Sequence, residues 1–213
     1  MRCDKKDLLL YGVTDRSWLG DRTLAQQVEA SLRGGATMIQ LREKHMDRGS
    51  ILAQALELRE LCGRYGVPLI LNDDAEPAQA AGADGVHVGQ SDMEAGRVRA
   101  LLGEDKLIGV SARTVEQALA AQAAGADYLG VGAMFPTGTK QDTRPVSYDT
   151  LKAICAAVDI PVVAIGGIGA GNVAELAGSG IAGVAVVSAL YAQPDVEAAT
   201  RSLRAQVERV VGP

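Results

Sequence analysis

Short apolar runs rich in Val, Ile and Leu alternate along the chain with longer alanine-rich stretches, in which apolar residues recur every three or four positions. The short runs are typical of buried parallel strands, and the longer stretches are typical of amphipathic helices. The predicted strands are Leu8–Thr14, Met38–Arg42, Pro68–Asn72, Gly85–Gly89, Leu107–Ser111, Tyr128–Gly132, Pro161–Gly166 and Gly183–Ser188. The predicted helices are Thr23–Arg33, Gly49–Tyr65, Glu76–Ala81, Met93–Leu102, Thr114–Ala124, Tyr148–Val158, Gly171–Ala177 and Asp195–Val211.

The number and order of these elements predict the fold. Eight successive strand–helix units, with no break in composition between them, match a (β/α)8 TIM barrel. An open doubly wound sheet is the structural alternative, but such sheets usually contain fewer strands. We therefore predict an α/β protein with a single TIM-barrel catalytic domain over residues 1–213.

A weak internal repeat agrees with this fold. The segment Ala81-Gly-Ala-Asp-Gly-Val-His-Val-Gly89 resembles Ala124-Gly-Ala-Asp-Tyr-Leu-Gly-Val-Gly132, and Gly34-Gly-Ala-Thr-Met-Ile-Gln40 is similar to both. Each segment places a glycine between a helix and the next strand, where it can adopt the left-handed conformation that ends the helix. We interpret the repeat as a feature of the fold rather than of catalysis.

Composition and charge narrow the class of protein. Hydrophobic residues make up 47% of the chain and aromatic residues only 3%, which favours helices packed on a parallel sheet. The net charge of −5 and the pI near 5.1 argue against a protein that binds nucleic acid or a membrane surface, although local cations can still hold an anionic ligand. Three widely spaced cysteines indicate reduced thiols, and neither a signal peptide nor a membrane-spanning run is visible. We expect a soluble cytoplasmic protein.

Polar residues cluster where the predicted strands end. On the second strand, Gln40, Arg42 and Lys44 alternate with the bulky Ile39 and Leu41. Because successive residues of a strand point to opposite faces, the three polar side chains are expected to point toward the mouth of the barrel. An exposed strand end is the alternative, but burying an arginine without a partner is costly, so ligand binding is favoured.

Carboxylates follow two neighbouring strands. Asp73 and Asp74 come directly after the third strand, and Asp92 follows the fourth. Carboxylates at adjacent strand ends can hold Mg²⁺, which commonly takes one or two of them together with phosphate oxygens and water. Helix capping is the alternative for Asp74 and Asp92, since each precedes a helical pattern. We predict Mg²⁺ ligands at Asp73 and Asp92 and a cap at Asp74.

Two further features indicate bound phosphate. The segment Pro136–Pro145 combines threonine hydroxyls, Gly138 and the cations Lys140 and Arg144, which suits a lid that closes over anionic oxygens. A long surface loop is the alternative for this segment. The seventh and eighth strands end in Ile165-Gly-Gly-Ile168 and Val186-Val-Ser-Ala189, and barrel enzymes often bind phosphate after these two strands.

The remaining polar candidates include the two histidines. His87 and Ser111 have the inward parity of their strands, and His87 is expected to be a hydrogen-bonded core residue, whereas His45 lies in a loop. The chain has no spacing typical of a Ser-His-Asp triad, no Walker loop and no dinucleotide-binding glycine motif. Hydride transfer and nucleophilic hydrolysis therefore lack support.

Taken in order, these segments resemble the thiamine-phosphate synthase family. The matching segments, which extend over nearly the whole chain, are Tyr11-Gly-Val-Thr-Asp-Arg16, Gln40-Leu-Arg-Glu-Lys44, Asn72-Asp73, Val86-His-Val-Gly-Gln-Ser-Asp92, Gly109-Val-Ser111, Pro136-Thr-Gly-Thr-Lys140 with Asp142-Thr-Arg144, Ile165-Gly-Gly-Ile168 and Val187-Ser188. Two departures are mild: Gly12 stands where an apolar residue is more usual, and Val187 where a larger branched residue is expected.

The resemblance implies an activity and a role for each matching residue. It implies a Mg²⁺-dependent transferase that joins 4-amino-2-methyl-5-(diphosphooxymethyl)pyrimidine to a thiazole phosphate, or its carboxylate, and releases pyrophosphate. The residues implied for the pyrimidine diphosphate are Gln40, Leu41, Arg42, Glu43, Lys44, Asn72, Ser111 and Lys140, of which Arg42, Lys44, Ser111 and Lys140 would be catalytic. Those implied for the thiazole phosphate are Thr137, Gly138, Thr139, Gly167, Val187 and Ser188, and those implied for Mg²⁺ are Asp73 and Asp92.

Two other functions remain open. A thiazole tautomerase-like isomerase would share the barrel and the thiazole-phosphate site, but it would not need the segment Gln40–Lys44 or the carboxylate pair. A non-catalytic phosphate-binding regulator would be expected to lack the cations or the carboxylates, all of which are present. Small-molecule substrates are the expected partners, and the sequence is compatible with a homo-oligomer.

Overall fold

The computed structural model describes residues 3–44, 46–90, 92–138 and 145–212. Within these residues, eight parallel strands pair in sequence order and close into a barrel. The strands, numbered β1 to β8, are Leu10–Val13, Met38–Leu41, Leu69–Asn72, Gly85–Val88, Leu107–Ala112, Tyr128–Val131, Val162–Ile165 and Gly183–Val186. Pairing of β8 with β1, in which Val184 lies beside Leu10, completes the barrel and confirms the predicted TIM-barrel fold.

Helices follow the strands and surround the barrel. The α-helices found in the described residues, numbered α1 to α8, are Leu24–Arg33, Arg48–Tyr65, Ala75–Ala81, Ala95–Leu102, Val115–Ala123, Tyr148–Ala157, Ser188–Tyr191 and Val196–Val211. Short 3-10 helices occupy Lys5–Leu8, Arg16–Trp18 and Val173–Leu176. None of the helices in this part of the chain is both long and apolar enough to cross a membrane.

The segment after β7 differs from the sequence prediction. Residues predicted as a helix over Gly171–Ala177 form only the 3-10 helix Val173–Leu176. The side chain of Asn172 accepts a hydrogen bond from the backbone N–H of Gly169 and donates one to the carbonyl of Gly167, both at 2.9 Å. Asparagine side chains that bond to nearby backbone in this way compete with helix formation. The β7 loop is consequently held as a turn at the mouth of the barrel.

The eighth strand is shorter than predicted. It ends at Val186, and the one-turn helix α7 begins at Ser188. The sequence did not predict this helix because a continuous apolar run extends across the strand and the helix. Val187 has φ −113° and ψ −82°, which lies outside the strand region of the backbone map. Ser188 therefore lies in a strand-to-helix turn and not in the sheet.

Apolar side chains form two layers, one inside the barrel and one between the strands and the helices. On β2, Met38 belongs to the inner layer, whereas Ile39 and Leu41 belong to the outer layer. Tyr11 and Tyr128 are the largest side chains of the inner layer, and both are buried. The alternation confirms the parity that the sequence predicted for the strand residues.

The repeat noted in the sequence has a structural basis at the opposite end of the barrel from the strand C-termini. Its glycines Gly35, Gly82 and Gly125 all have positive φ, as expected for residues that end helices. Two positions after each glycine, a polar side chain accepts a hydrogen bond from a backbone N–H near the start of the preceding strand. The pairs are Thr37 with Leu10 at 2.9 Å, Asp84 with Leu69 at 2.8 Å and Asp127 with Ile108 at 2.8 Å.

Candidate active site

A cavity opens at the end of the barrel where the strands finish. Its inner part has a volume of about 160 Å³, and a wider outer part has a volume of about 730 Å³. The two parts share Thr137, Gly167, Ile168 and Ser188. The outer volume falls within the roughly 300–1,000 Å³ of small-molecule sites. The predicted site residues that line the inner part are Gln40, Arg42, Asn72, Ser111, Thr137, Gly167, Val187 and Ser188.

Strand β2 contributes a neutral and a charged side chain to the inner cavity. Gln40 is buried, and its amide nitrogen donates a 2.7 Å hydrogen bond to the hydroxyl of Tyr11. Arg42 follows the end of β2, and its guanidinium lies 3.6 Å from the carboxylate of Asp15, with both side chains mostly covered. A pair at this distance leaves guanidinium N–H groups of Arg42 able to donate to an anion.

The other residues predicted from this segment point elsewhere. Leu41 is buried in the outer apolar layer. The Glu43 carboxylate accepts a 2.7 Å hydrogen bond from Arg16 Nε. Burial raises the pKa of Glu43 above its usual value, and the charge of Arg16 opposes this effect. Lys44 is exposed and is not among the residues that line the cavity.

At the end of β3, two adjacent aspartates differ in their contacts. The backbone N–H of Asp73 donates a 2.8 Å hydrogen bond to the carbonyl of His87 on β4, which holds Asp73 between the two strand ends. Asp73 also has φ +65°, and non-glycine residues with this backbone conformation are concentrated at functional sites. Asp74 caps α3 by accepting a hydrogen bond from the N–H of Glu76, as predicted.

The second predicted metal ligand lies in the loop after β4. Asp92 accepts a 2.6 Å hydrogen bond from the backbone N–H of Gly89. Helix α4 begins only at Ala95, with Glu94 at its N-cap, so helix capping does not explain Asp92. The described residues hold no group of three or more His, Cys, Asp or Glu that could bind a metal by protein ligands alone. Two carboxylates still fit Mg²⁺ where phosphate and water supply the other oxygens.

Polar side chains also form hydrogen bonds across the interior of the barrel. The hydroxyl groups of Tyr11 and Tyr128 are 2.9 Å apart, and Nδ1 of His87 lies 3.2 Å from the Tyr128 hydroxyl. Nε2 of His87 lies 3.0 Å from Oγ of Ser111, which lines the cavity. Burial raises the pKa of Tyr11 and of Tyr128 well above the usual range, so both phenols stay protonated. The structure thus confirms His87 as a hydrogen-bonded residue of the interior.

The outer part of the cavity contains residues predicted for the second phosphate. Thr137 and Gly138 come from the loop after β6, Gly167 from the loop after β7, and Ser188 from the start of α7. Gly167 has φ +67°, and a Cβ at this position would lie 2.5 Å from the carbonyl oxygen of Pro136. Only glycine therefore allows these two loops to approach so closely.

Some predictions fall on residues that the structure does not describe. Thr139, Lys140 and Arg144 lie outside the described residues, as does His45. The expected contact of Thr139 with phosphate and the expected catalytic role of Lys140 therefore stay predictions. Val187 lines the inner cavity and packs against the inner apolar layer.

The structure brings to the cavity some residues that the sequence did not identify. Arg113 lines the inner part, and no ion pair of its guanidinium is found among the described residues. Arg113 lies two positions after Ser111. Because alternate residues of a strand point to the same side, it is expected to point into the barrel as Ser111 does. Trp18 and Asp15 line the outer part, and they belong to a 3-10 turn whose direction no sequence pattern indicated.

The chain is similar to known proteins over most of its length. The family model described as thiamine monophosphate synthase matches residues 10–190. The chain is 48% identical over 199 residues to thiamine-phosphate synthase of Ruminiclostridium cellulolyticum, which covers 93% of this chain and 95% of that protein. It is 50% identical over 202 residues to thiamine-phosphate synthase of Chloroflexus aurantiacus, which covers 94% and 93%. A solved structure of thiamine phosphate pyrophosphorylase from Pyrococcus furiosus matches with a TM-score of 0.90 and 38% identity, covering 98% of this chain and 99% of that chain.

Proposed function

The chain belongs to the thiamine monophosphate synthase family, and on this basis we propose that it joins an aminopyrimidine diphosphate to a thiazole phosphate and releases pyrophosphate. Its curated relatives are thiamine-phosphate synthases, so the chain is a transferase of the thiamine-phosphate diphosphorylase type. One observation carries the proposal: residues expected for each substrate line two connected parts of one cavity. They are Gln40, Arg42, Asn72 and Ser111 for the pyrimidine diphosphate, and Thr137, Gly138, Gly167, Val187 and Ser188 for the thiazole phosphate.

The inner part of the cavity is suited to the pyrimidine diphosphate. Gln40, Asn72 and Ser111 offer amide and hydroxyl groups that can bond to the amino group and nitrogens of the ring. Arg42 and Arg113 line the same space and can bind diphosphate oxygens through two N–H groups each. In this proposal Lys44 and Lys140 add positive charge as the substrate enters, whereas Leu41 and Glu43 hold the segment in place.

Asp73 and Asp92 are the residues that would hold Mg²⁺ on the diphosphate. They fit the ion because they supply hard oxygen donors from the segments that follow two adjacent strands. Bound there, Mg²⁺ would contribute positive charge that neutralises the departing diphosphate. The chain itself would hold the two carboxylates in the loops that follow β3 and β4 through the backbone hydrogen bond of Asp73 to His87 and that of Gly89 to Asp92.

The outer part of the cavity is suited to the thiazole phosphate. Thr137 and Ser188 offer hydroxyl donors, and Gly138 and Gly167 offer backbone that a phosphate can approach closely. The backbone of Val187 and the side chain of Thr139 complete the set that the family resemblance implies. Because this part opens directly into the inner part, the two substrates would meet in one space.

The proposed chemistry needs stabilisation of charge and no protein nucleophile. The bond between the pyrimidine methylene carbon and the diphosphate oxygen breaks, and the electron pair leaves with the pyrophosphate. The ring amino group delocalises the positive charge left on the carbon, and the thiazole nitrogen then attacks this carbon to form the new C–N bond. Arg42, Arg113 and Lys140 stabilise the negative charge of the leaving group. Enclosure in the inner cavity excludes water that could capture the cation.

The proposal is tested by incubating the purified chain with both substrates and Mg²⁺ and measuring pyrophosphate and thiamine phosphate. Both products are expected in equal amounts, and only when both substrates are present. Replacing Arg42 by Ala is expected to lower kcat by about 10²–10³, the typical cost of removing one electrostatic contact to developing charge. Isomerisation of a thiazole phosphate without pyrophosphate release, or binding without turnover, would reject the proposal in favour of an isomerase or a regulator.

A further inference from the structure

Five side chains inside the barrel form one continuous hydrogen-bonded chain. It runs from Gln40 on β2 through Tyr11, Tyr128 and His87 to Ser111 on β5, with successive distances of 2.7, 2.9, 3.2 and 3.0 Å. Gln40 and Ser111 at its two ends line the inner cavity, as do Tyr11 and His87, whereas Tyr128 does not. Tyr128, in the middle, has no exposed surface and cannot contact a substrate.

The hydrogen-bonded chain has a direction, because each hydroxyl group carries only one hydrogen. The amide nitrogen of Gln40 donates to the Tyr11 hydroxyl and cannot accept from it, so the one hydrogen of this hydroxyl finds an acceptor among the described residues only at Tyr128. The hydroxyl of Tyr128 in turn donates to Nδ1 of His87, which must then be unprotonated. The proton of neutral His87 therefore lies on Nε2, which donates to Oγ of Ser111. The hydroxyl hydrogen of Ser111 is left to point into the cavity.

We infer that Tyr11, Tyr128 and His87 are positioning residues. They determine whether Gln40 and Ser111, at the two ends of the hydrogen-bonded chain, present a donor or an acceptor to the cavity. Gln40 uses its amide nitrogen within the chain and presents its carbonyl oxygen as an acceptor. Ser111 accepts from the chain and presents its hydroxyl as a donor. An acceptor on one side of the cavity and a donor on another match a ring that carries both an amino group and an unprotonated nitrogen. This identification of the ring rests on the proposed function.

The interior of the barrel is shaped to hold this arrangement. A Cβ added to Gly109 would overlap the ring of Tyr128 and Nδ1 of His87, and one added to Gly130 would lie 3.0 Å from Cε1 of His87. The two glycines thus leave room for the histidine ring between β5 and β6. The raised pKa of both phenols keeps them as neutral donors, as the direction of the chain requires.

The tautomer of His87 is the first test, and it needs no substrate. The protein contains two histidines. Long-range ¹H–¹⁵N spectra of the ¹⁵N-labelled wild type, compared with those of the His45→Gln variant, therefore assign the ring signals of His87. We expect Nε2 to be protonated and Nδ1 to be unprotonated at a pH where the ring is neutral. Protonation of Nδ1, or an equal mixture of the two tautomers, would overturn the inference.

The second test removes one hydroxyl from the middle of the chain. Tyr128→Phe is expected to give a mixture of the two His87 tautomers. It is also expected to raise KM for the pyrimidine substrate about five- to tenfold, with a smaller effect on kcat, because one hydrogen bond to the pyrimidine ring loses its preferred direction. Tyr191→Phe is the matched control, since Tyr191 is equally buried but its hydroxyl bonds to Ser31, which is not part of the chain. The control should change neither quantity.

The outcomes separate this inference from the proposed function. If Tyr128→Phe folds and leaves both the tautomer and KM unchanged, the positioning role is wrong even though the transferase activity stands. If the wild-type protein releases no pyrophosphate, the proposed function fails, and the tautomer of His87 still decides whether the directed chain exists. If Tyr128→Phe does not fold, the wild-type spectrum decides alone.

Discussion

Arg113 is a cation of the inner cavity that is distinct from the residues implied by the family resemblance. It lines the same space as Arg42 and lies at the start of the loop after β5. We predict that Arg113→Ala raises KM for the diphosphate substrate about 10- to 100-fold, since a hydrogen bond to a charged group contributes about 1.5–3 kcal/mol. Arg113→Lys should recover part of the loss, because a lysine retains the charge but not the paired donors.

Steady-state kinetics with each substrate varied in turn measure this effect. Arg97→Ala serves as the control, because Arg97 is an exposed arginine on α4 that does not line the cavity. An increase in KM for the thiazole phosphate alone would place Arg113 at the other substrate and contradict the prediction.

Gly12 is the departure from the family pattern that the structure explains. A Cβ at this position would lie 2.7 Å from the hydroxyl oxygen of Tyr191 and 3.3 Å from Cδ1 of Ile39. We predict that Gly12→Ala lowers the free energy of unfolding by about 1–3 kcal/mol, the usual cost of overpacking a core. Adding Tyr191→Phe removes the closest atom and should recover part of this loss. Urea unfolding of the four proteins in the cycle measures the coupling, and strictly additive effects would show that the hydroxyl is not the cause.

At the scale of elements, the junction between β3 and α3 separates a proposed metal ligand from a helix cap. Asp73 and Asp74 are adjacent, yet only Asp74 caps the helix. We predict that Asp73→Asn raises the Mg²⁺ concentration for half-maximal activity about tenfold or more, equivalent to about 1.4 kcal/mol of lost binding. Asparagine tolerates the positive φ of Asp73, so the change removes a charge without adding backbone strain.

Asp74→Asn is the control for this prediction. It removes the same charge one residue away, and asparagine caps a helix about as well as aspartate does. Its Mg²⁺ requirement and its urea midpoint should both remain close to those of the wild type. Activity measured across a Mg²⁺ titration decides the matter, and equal responses of the two variants would leave Asp73 without a special role.

Most helices and strands could be predicted from the sequence, and a few could not. The strands were predictable because each buries a short Val/Ile/Leu-rich run, and the structure retains every predicted strand with boundaries shifted by a few residues. The prediction of an α-helix over Gly171–Ala177 was wrong, because the apolar pattern contains no information about the hydrogen bonds between the Asn172 side chain and the preceding turn. Helix α7 was missed because an apolar run does not distinguish a strand from a buried helix.

The candidate site could be predicted as far as strand parity extends. Gln40 and Ser111 lie within their strands, and Arg42 lies one residue beyond β2, so alternation places all three correctly. Lys44 lies three residues beyond the end of β2, where the period of two no longer applies, and its side chain is exposed. The pairing of Glu43 with Arg16 depends on a contact between distant segments, which no local pattern contains.

For the molecule as a whole, the two ends of the barrel have different tasks. The cavity lies at the C-terminal ends of the strands, where barrel enzymes place their catalytic groups. At the other end, Thr37, Asp84 and Asp127 bond to backbone amides near the starts of neighbouring strands. Buried backbone groups that lose a partner are costly, so these contacts are expected to stabilise the fold without affecting the reaction.

Asp127 offers a test of this division. Its carboxylate accepts hydrogen bonds from the N–H of Ile108 at 2.8 Å and from Nη2 of Arg99 at 2.6 Å, and both charged side chains are mostly covered. Asp127→Ala leaves a backbone amide and a guanidinium without this partner, and we predict a loss of about 2–4 kcal/mol in the free energy of unfolding. Asp127→Asn should lose less, because its carbonyl oxygen can still accept one hydrogen bond. Urea unfolding and kinetics at a temperature where every variant is folded should show lowered stability with unchanged kcat and KM, whereas altered kinetics at unchanged stability would contradict the separation of the two ends.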